Sequence, residues 1–239
     1  MEQRPVYLDN NATTPLDPRV LDAFVAAQAT FGNPSSMHGF GRPAAALVGE
    51  ARKACAALIG AEARDIIFTS GGTESNNAVF SLFVPQKNPA RGIDPARNEL
   101  VVSAIEHPAV LETAMHLRDA FGLVLHIAPV DSTGRIRLEE LEKLVNERTA
   151  LVSVMLANNE IGTIQDLAAI ARLAHARGAL VHSDAVQAVG KIPVDVAALG
   201  IDYMSASGHK IHAPKGIGLL WVRRGVPFAP FLIGGHQED

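Results

Sequence analysis

The chain has 239 residues, 48% of them hydrophobic and 19% charged, and 21 Lys plus Arg against 25 Asp plus Glu give a formal charge of −4. This composition excludes a disordered chain, and the length is enough to bury a substantial core without staples. The lack of a basic stripe argues against nucleic acid, the single cysteine (Cys55) excludes an internal disulfide, a CxxC redox pair and a four-cysteine zinc site, and no apolar run approaches the roughly eighteen residues of a membrane helix.

Taken in chain order, residues 9–18 are polar with two prolines and read as an ordered loop, as does FGNPSSMHGFGR (31–42). Residues 43–59 are Ala-rich with apolar positions at helical spacing, and Gly60 lies just past the end. Residues 66–69 (IIFT) form a short buried-strand pattern, and 74–82 read as a helix. Residues 91–98 read as a loop or insertion. A strand over 100–103 precedes a helix over 108–121; Pro108 suits its first turn, where a missing N–H costs nothing, and Gly122 stops it. Further strands are expected over 124–128, 151–156, 180–183, 203–205 and 219–222, with helices over 138–145 and 167–175, the latter stopped by Gly178. Several strands are continuously apolar, which implies burial on both faces. The alternation reads as a layered α/β fold with a mainly parallel sheet.

In such folds ligands gather at the carboxyl ends of the strands, so the residues just past each strand are the candidates for chemistry. Ser70-Gly71-Gly72-Thr73-Glu74 comes after the first strand. It is either a phosphate cradle, with two glycines for close approach and a helix N-terminus for free N–H groups, or a plain turn with Thr73 as N-cap. It is not a P-loop, because GxxxxGK[ST] is absent. Glu106-His107-Pro108 comes after the next strand; His107 is either a stacking imidazole or a loop histidine beside a helix start. Asn158-Asn159-Glu160 lies past 151–156, where turn chemistry is the competing account of the amides. Asp184, directly after an apolar strand, is an N-cap or the partner of a buried cation. Ser205-Ala-Ser207-Gly-His209-Lys210 precedes a Gly-Pro loop, and a lysine fixed there can lose its proton and attack carbonyls. His209 and His212 lack the spacing and the intervening Glu of a helical zinc site, so no metal is expected. Together these parts compose a pyridoxal phosphate (PLP) site: an anion hole, a lysine for the aldehyde and a carboxylate for the ring nitrogen.

The stretches YLDNNATTP (7–15), FGNPSSMH (31–38), FTSGGTESNN (68–77), EHPAV (106–110), ANNEIGTIQD (157–166), HSDAVQAVGK (182–191) and SASGHKIHAPKGIG (205–218) occur in order along almost the whole chain. In them the sequence resembles the class V aminotransferase family of fold-type I PLP enzymes, and within it the cysteine desulfurases of the NifS/IscS type. The resemblance implies a three-layer large domain over 21–239, preceded by a segment (1–20) that borders the active site. It implies that Lys210 bonds the cofactor's aldehyde and moves the substrate's Cα proton, that Asp184 pairs with the ring nitrogen, and that Gln187 hydrogen-bonds the ring hydroxyl. His107 would stack on the ring and relay protons. Gly72, Thr73, Ser207 and His209 would hold the phosphate, and Asn159 would sit between the ring hydroxyl and the substrate carboxylate. Loops 9–15 and 31–38 would border the site.

The implied activity converts L-cysteine to L-alanine and an enzyme persulfide, which supplies iron–sulfur clusters or tRNA thiolation through a sulfur acceptor or scaffold protein. The expected setting is a cytoplasmic homodimer that touches neither membrane nor nucleic acid. The family's persulfide cysteine lies well after the cofactor lysine, whereas this sequence ends 29 residues past Lys210 and Cys55 lies before it. A chain truncated before the small C-terminal domain is therefore expected, with 226–233 as the interdomain connection, 234–239 as an interrupted motif and a sticky apolar surface where the missing domain docks. Two other readings stay open: another class V enzyme, such as an aminotransferase or selenocysteine lyase, and a non-catalytic remnant that dimerises with a full-length homologue.

Overall fold

The computed structural model describes residues 6–84 and 94–235. Helices α1 (Pro18–Ala27) and α2 (Gly41–Leu58) precede strand β1 (Ile66–Thr69). Next come α3 (Gly72–Ser81), β2 (Glu99–Ser103), α4 (Pro108–Phe121), β3 (Val124–Ala128), α5 (Leu138–Leu144), β4 (Thr149–Ser153), α6 (Leu167–Ala176), β5 (Leu180–Asp184), α7 (Val196–Leu199), β6 (Tyr203–Ser207) and β7 (Gly218–Val222).

The strands form one seven-stranded sheet in the order β1-β7-β6-β5-β4-β2-β3. Among the described residues only β7 runs against its neighbours; the other pairings, β6–β5, β5–β4, β4–β2 and β2–β3, are parallel. Successive residues of one strand enter opposite cores, as a two-residue period requires. Leu100, Val102, Leu151, Tyr203 and Leu220 pack with Val79 and Phe80 of α3 and Val110, Ala114 and Leu117 of α4. Val101, Val152, Val181, Met204 and Trp221 pack on the other face with Ala56 of α2, Leu141 of α5 and Ile170, Ala171 and Ala174 of α6. The result is the expected three-layer α/β arrangement. No helix among the described residues is long and apolar enough to cross a membrane.

Most expected elements form, with shifted ends. The fourth strand spans 149–153 rather than 151–156, because β2 turns away after Ser103; Val154 and Leu156 keep bonds to β5, through the carbonyls of His182 and Asp184. Helix α3 begins at Gly72 with Gly71 as its cap, so Thr73 is inside the helix and is not the N-cap. Helices α1 and α7 add to the expected set. Asp17 caps α1 by accepting from the Arg19 N–H, and Pro18 opens it, a start signal at the end of a stretch that reads as a polar loop. No residue of α1 is buried, and Leu21, Phe24 and Val25 are exposed. Of the loop expected over 91–98, residues 91–93 lie outside the described residues, as do 236–239 of the expected C-terminal motif. In the stretch 226–233, Val226, Phe228 and Ala229 pack on the core, while Leu232 and Ile233 are exposed.

Two glycines separate packing from propensity. A Cβ on Gly218, at the start of β7, would lie 2.5 Å from the Cα and carbonyl carbon of Gly71, whereas a Cβ on Gly49, inside α2, would meet nothing within 4 Å. Gly218→Ala is expected to lower the urea midpoint by the equivalent of about 1–3 kcal/mol. Gly49→Ala is expected to raise it by about 0.5–1 kcal/mol.

Candidate active site

The parallel strands discharge their carboxyl ends along one edge of the sheet, and there a cavity of about 350 Å³ opens, within the range of small-molecule sites. Lys210 and Asp184, the two groups on which the sequence reading rests, both line it. So do Gly72, Thr73, Ser207 and His209, and also His107, Asn159 and Gln187. The structure thus brings together all the site residues expected from sequence. It adds Ala12, Asn76, Ala109, Met155 and Val186 to the lining.

At one end, the first turn of α3 leaves backbone N–H groups without intrahelical partners, next to the hydroxyls of Thr73 and Ser207. A Cβ on Gly72 would sit 2.8 Å from Val186 Cγ2, so glycine keeps this wall closed up. His209 Nδ1 pairs with Thr13 Oγ1 at 3.1 Å, and burial, with Lys210 and Lys215 nearby, lowers its pKa.

Asp184 ends β5 and is buried. Its Oδ1 accepts the Val186 N–H at 3.0 Å and its Oδ2 accepts from Asn76 Nδ2 at 2.8 Å. Burial pushes its carboxyl pKa up, against the pull of these two donors, His107 and Lys210. The carboxylate is therefore no helix cap; it sits in a turn and is suited to a cationic partner.

Lys210 lies in a short 3₁₀ turn directly after β6 and is half-buried. Its Nζ donates to the carbonyls of Asn11 and, at 2.9 Å, Ala12. Desolvation and then Lys191 lower its pKa, opposed by Asp184 and Asp9. Gln187 is held between Asn11, whose carbonyl accepts from its Nε2 at 2.9 Å, and Lys191, whose Nζ donates to its Oε1 at 2.5 Å.

His107 caps α4: its Nδ1 accepts the Ala109 N–H at 3.1 Å, so in the neutral ring the proton sits on Nε2. Of the two amides after β4, Asn158 holds the turn, its Oδ1 accepting from Glu160 and Ile161, and only Asn159 reaches the cavity. The segment 9–15 borders the site as expected, with Thr14 pinned to the His209 carbonyl. The loop 31–38 does not line the cavity. It closes on itself instead: the Phe31 and Phe40 rings stand 5.4 Å apart, and Gly32 and Gly41 press against neighbouring backbone. Cys55 is in α2, half-buried and outside the cavity; burial raises its thiol pKa.

A family model, aminotransferase class-V, matches residues 6–239. The chain belongs to the class-V aminotransferase family. It is 48% identical to a cysteine desulfurase from Sinorhizobium fredii and 48% identical to one from Cereibacter sphaeroides, in each case over 98% of this chain and 59% of the relative. Among solved structures, a NifS-like protein superposes with a TM-score of 0.90 at 43% identity, covering 98% of this chain and 63% of that one. SspA in complex with cysteine gives a TM-score of 0.88 at 33% identity, over 97% and 66%. The chain thus spans about three fifths of the length of the curated relatives it matches.

Behind His107, the Glu106 side chain is buried between two strand ends. Its Oε1 takes the Ser103 hydroxyl at 2.5 Å and the Met155 N–H at 2.7 Å, while Oε2 has no partner among the described residues. Burial, with Asp184 adding to it, raises its pKa from 4.5 to about 8. Between those values the folded chain holds a proton that the unfolded chain has released, so this group costs stability progressively as pH rises through the interval. The unfolding free energy of the wild type relative to Glu106→Gln should therefore fall from pH 4.5 to 8 and level off above. A flat difference over that range would refute a buried neutral acid.

Proposed function

We propose that this chain carries the cofactor-binding machinery of a PLP-dependent cysteine desulfurase, acting on L-cysteine to give L-alanine and sulfane sulfur. The observation that carries this reading is the sharing of one cavity by a desolvated lysine, a buried carboxylate and the uncapped N-terminus of α3. The residues fit the group on their own terms. The first turn of α3 offers a phosphate its free N–H groups beside Thr73 and Ser207, and Asp184 is a buried acid whose charge a ring N–H⁺ would balance. The curated cysteine desulfurases and the relative solved with cysteine support the choice of substrate.

When bound, PLP supplies an aldehyde that an amine can capture and a cationic ring that takes up the electron pair left at a substrate's Cα. The chain's own residues do the rest. Thr73, Ser207, His209 and the α3 N-terminus hold the phosphate, and Asp184 keeps the ring nitrogen protonated. Gln187, its carbonyl oxygen engaged by Lys191 and one amide N–H by the Asn11 carbonyl, would offer its remaining N–H to the ring hydroxyl. Lys210, its pKa lowered, has a larger neutral fraction at working pH and can accept the proton from the substrate's Cα and return it. His107, held by the Ala109 N–H, keeps its Nε2–H available for donation. Asn159 lies where it can meet the substrate carboxylate. Cys55 lies outside the cavity with a raised thiol pKa, so the sulfur passes to a different thiol. We place the protein in the cytoplasm as a homodimer that feeds a sulfur acceptor for iron–sulfur clusters or thiolated tRNA.

Incubation with PLP and then borohydride is expected to leave a stable adduct on the peptide containing Lys210, detected by mass spectrometry. Lys210→Ala should lose it and should slow deuterium exchange at the Cα of L-cysteine by roughly 10²–10⁴-fold. A reducible adduct retained by Lys210→Ala would overturn the assignment. Keto-acid-dependent amino transfer without sulfur release would move the protein to another class V activity.

A further inference from the structure

Asn76 stands on α3 with 1% of its surface exposed, and it lines the same cavity as Asp184. Its Nδ2 donates to Asp184 Oδ2 at 2.8 Å, but its Oδ1 is buried with no partner among the described residues. Turned over, the amide would set its oxygen against a carboxylate oxygen, so the orientation is fixed by the acid's charge. Asn is a poor residue for a buried helix face whose neighbours are Val79 and Phe80, and an unpaired buried carbonyl adds a penalty. An apolar residue of similar size would avoid both costs. What Asn76 retains is one donor aimed at one carboxylate.

We propose that Asn76 is a positioning residue that holds the Asp184 carboxylate ionised and fixes it relative to the anion-binding end of α3. The other donor to this carboxylate, the Val186 N–H, belongs to Asp184's own turn and ties it to no other element. Asn76 comes from another layer of the fold, one helical turn after Gly72 and Thr73, so it sets the spacing between the acid and the helix N-terminus. This inference rests on the cofactor reading for its purpose, because a ring gripped at its nitrogen and its phosphate needs those two ends at a constant separation. Other titratable groups act on the same carboxylate: Glu106 and His107 from the turn before α4, and Lys210 from the turn after β6. His182 lies on its own strand, with its ring kept neutral by burial and paired with Ser153 and Ser205.

The test uses the full chain without cofactor, ¹³C-labelled at the aspartate carboxyls, with Asp184→Asn to assign the signal. Asn76→Leu should raise the titration midpoint of Asp184 by about 1–2 pH units, the loss expected for one hydrogen bond to a charged group. Asn76→Asp sets a second carboxyl against the first, and the pair should then titrate in two separated steps. In protein loaded with PLP ¹⁵N-labelled at the ring nitrogen, Asn76→Leu should move the nitrogen signal from the protonated toward the neutral position. An Asp184 midpoint unchanged in Asn76→Leu, or a single unshifted step in Asn76→Asp should the first variant not fold, overturns the proposal. Failure of the wild type to take up PLP would instead count against the cofactor reading, and the carboxyl titration of the cofactor-free chain would still decide the role of Asn76.

Discussion

A carboxylate removed from water survives only where donors or a cation replace the water it has lost, and Asp184 sets that requirement for everything near it. It sits at the last residue of a central strand, buried, with one donor from its own turn and one from a helix in another layer. Each neighbour is constrained in turn. Glu106, pressed into the same region, is kept in its neutral form, and His182, two residues earlier on the strand, is held neutral as well. The local chemistry therefore sorts its ionisable groups: both acids have two donors, but Asp184, which faces the cavity, also has His107 and Lys210 near it to favour its charge, whereas Glu106 has the like charge of Asp184 and gives up its own, as His182 does to burial. That is the separation of roles by environment that acid–base sites depend on.

Sheet polarity is what delivers these groups to one place. Because β7 alone among the described strands is reversed, the ends of β2, β4, β5 and β6 share an edge, and His107, Asn159, Asp184 and Lys210 stand at or shortly past those ends. The reversed strand contributes in a different way. Its first residue, Gly218, lets the backbone before α3 lie against it, which brings the helix N-terminus to the same edge.

Much of this is legible in the sequence because its signals are local. Apolar strands such as 100–103 and 151–156 mark a sheet buried on both faces, and the polar residues after the strands mark the site. The misses have physical causes. Asn76 lies in the middle of a helix, where spacing alone cannot tell a buried amide from a solvated one; the one clue is an amide on the helix face that also carries Val79 and Phe80. Helix α1 carries Leu21, Phe24 and Val25 at helical spacing but buries none of them, and its start signal, Asp17-Pro18, falls at the end of a stretch that reads as a polar loop. The loop 31–38 looks like a site border because it is rich in Gly, Pro and Ser, yet those residues serve a tight self-packed turn. The end of β4 depends on where its neighbour β2 departs, which is a property of the pair and not of either segment.

The strap formed by residues 11–15 has a consequence for the order of assembly. Its bonds to the segment 209–212 join residues nearly 200 positions apart, as in the pairing of Thr13 with His209 across 196 residues. Contacts of such long range form late, after the intervening chain has collapsed and the entropic cost of closing so large a loop has been met. On the ribosome the strap has no counterpart until residues 209–212 have emerged. Until then the nascent chain can pair the parallel strands from β2 to β6 while its pocket stays unfinished, so completion of the pocket waits for the same late segment that carries Lys210 and leads into β7.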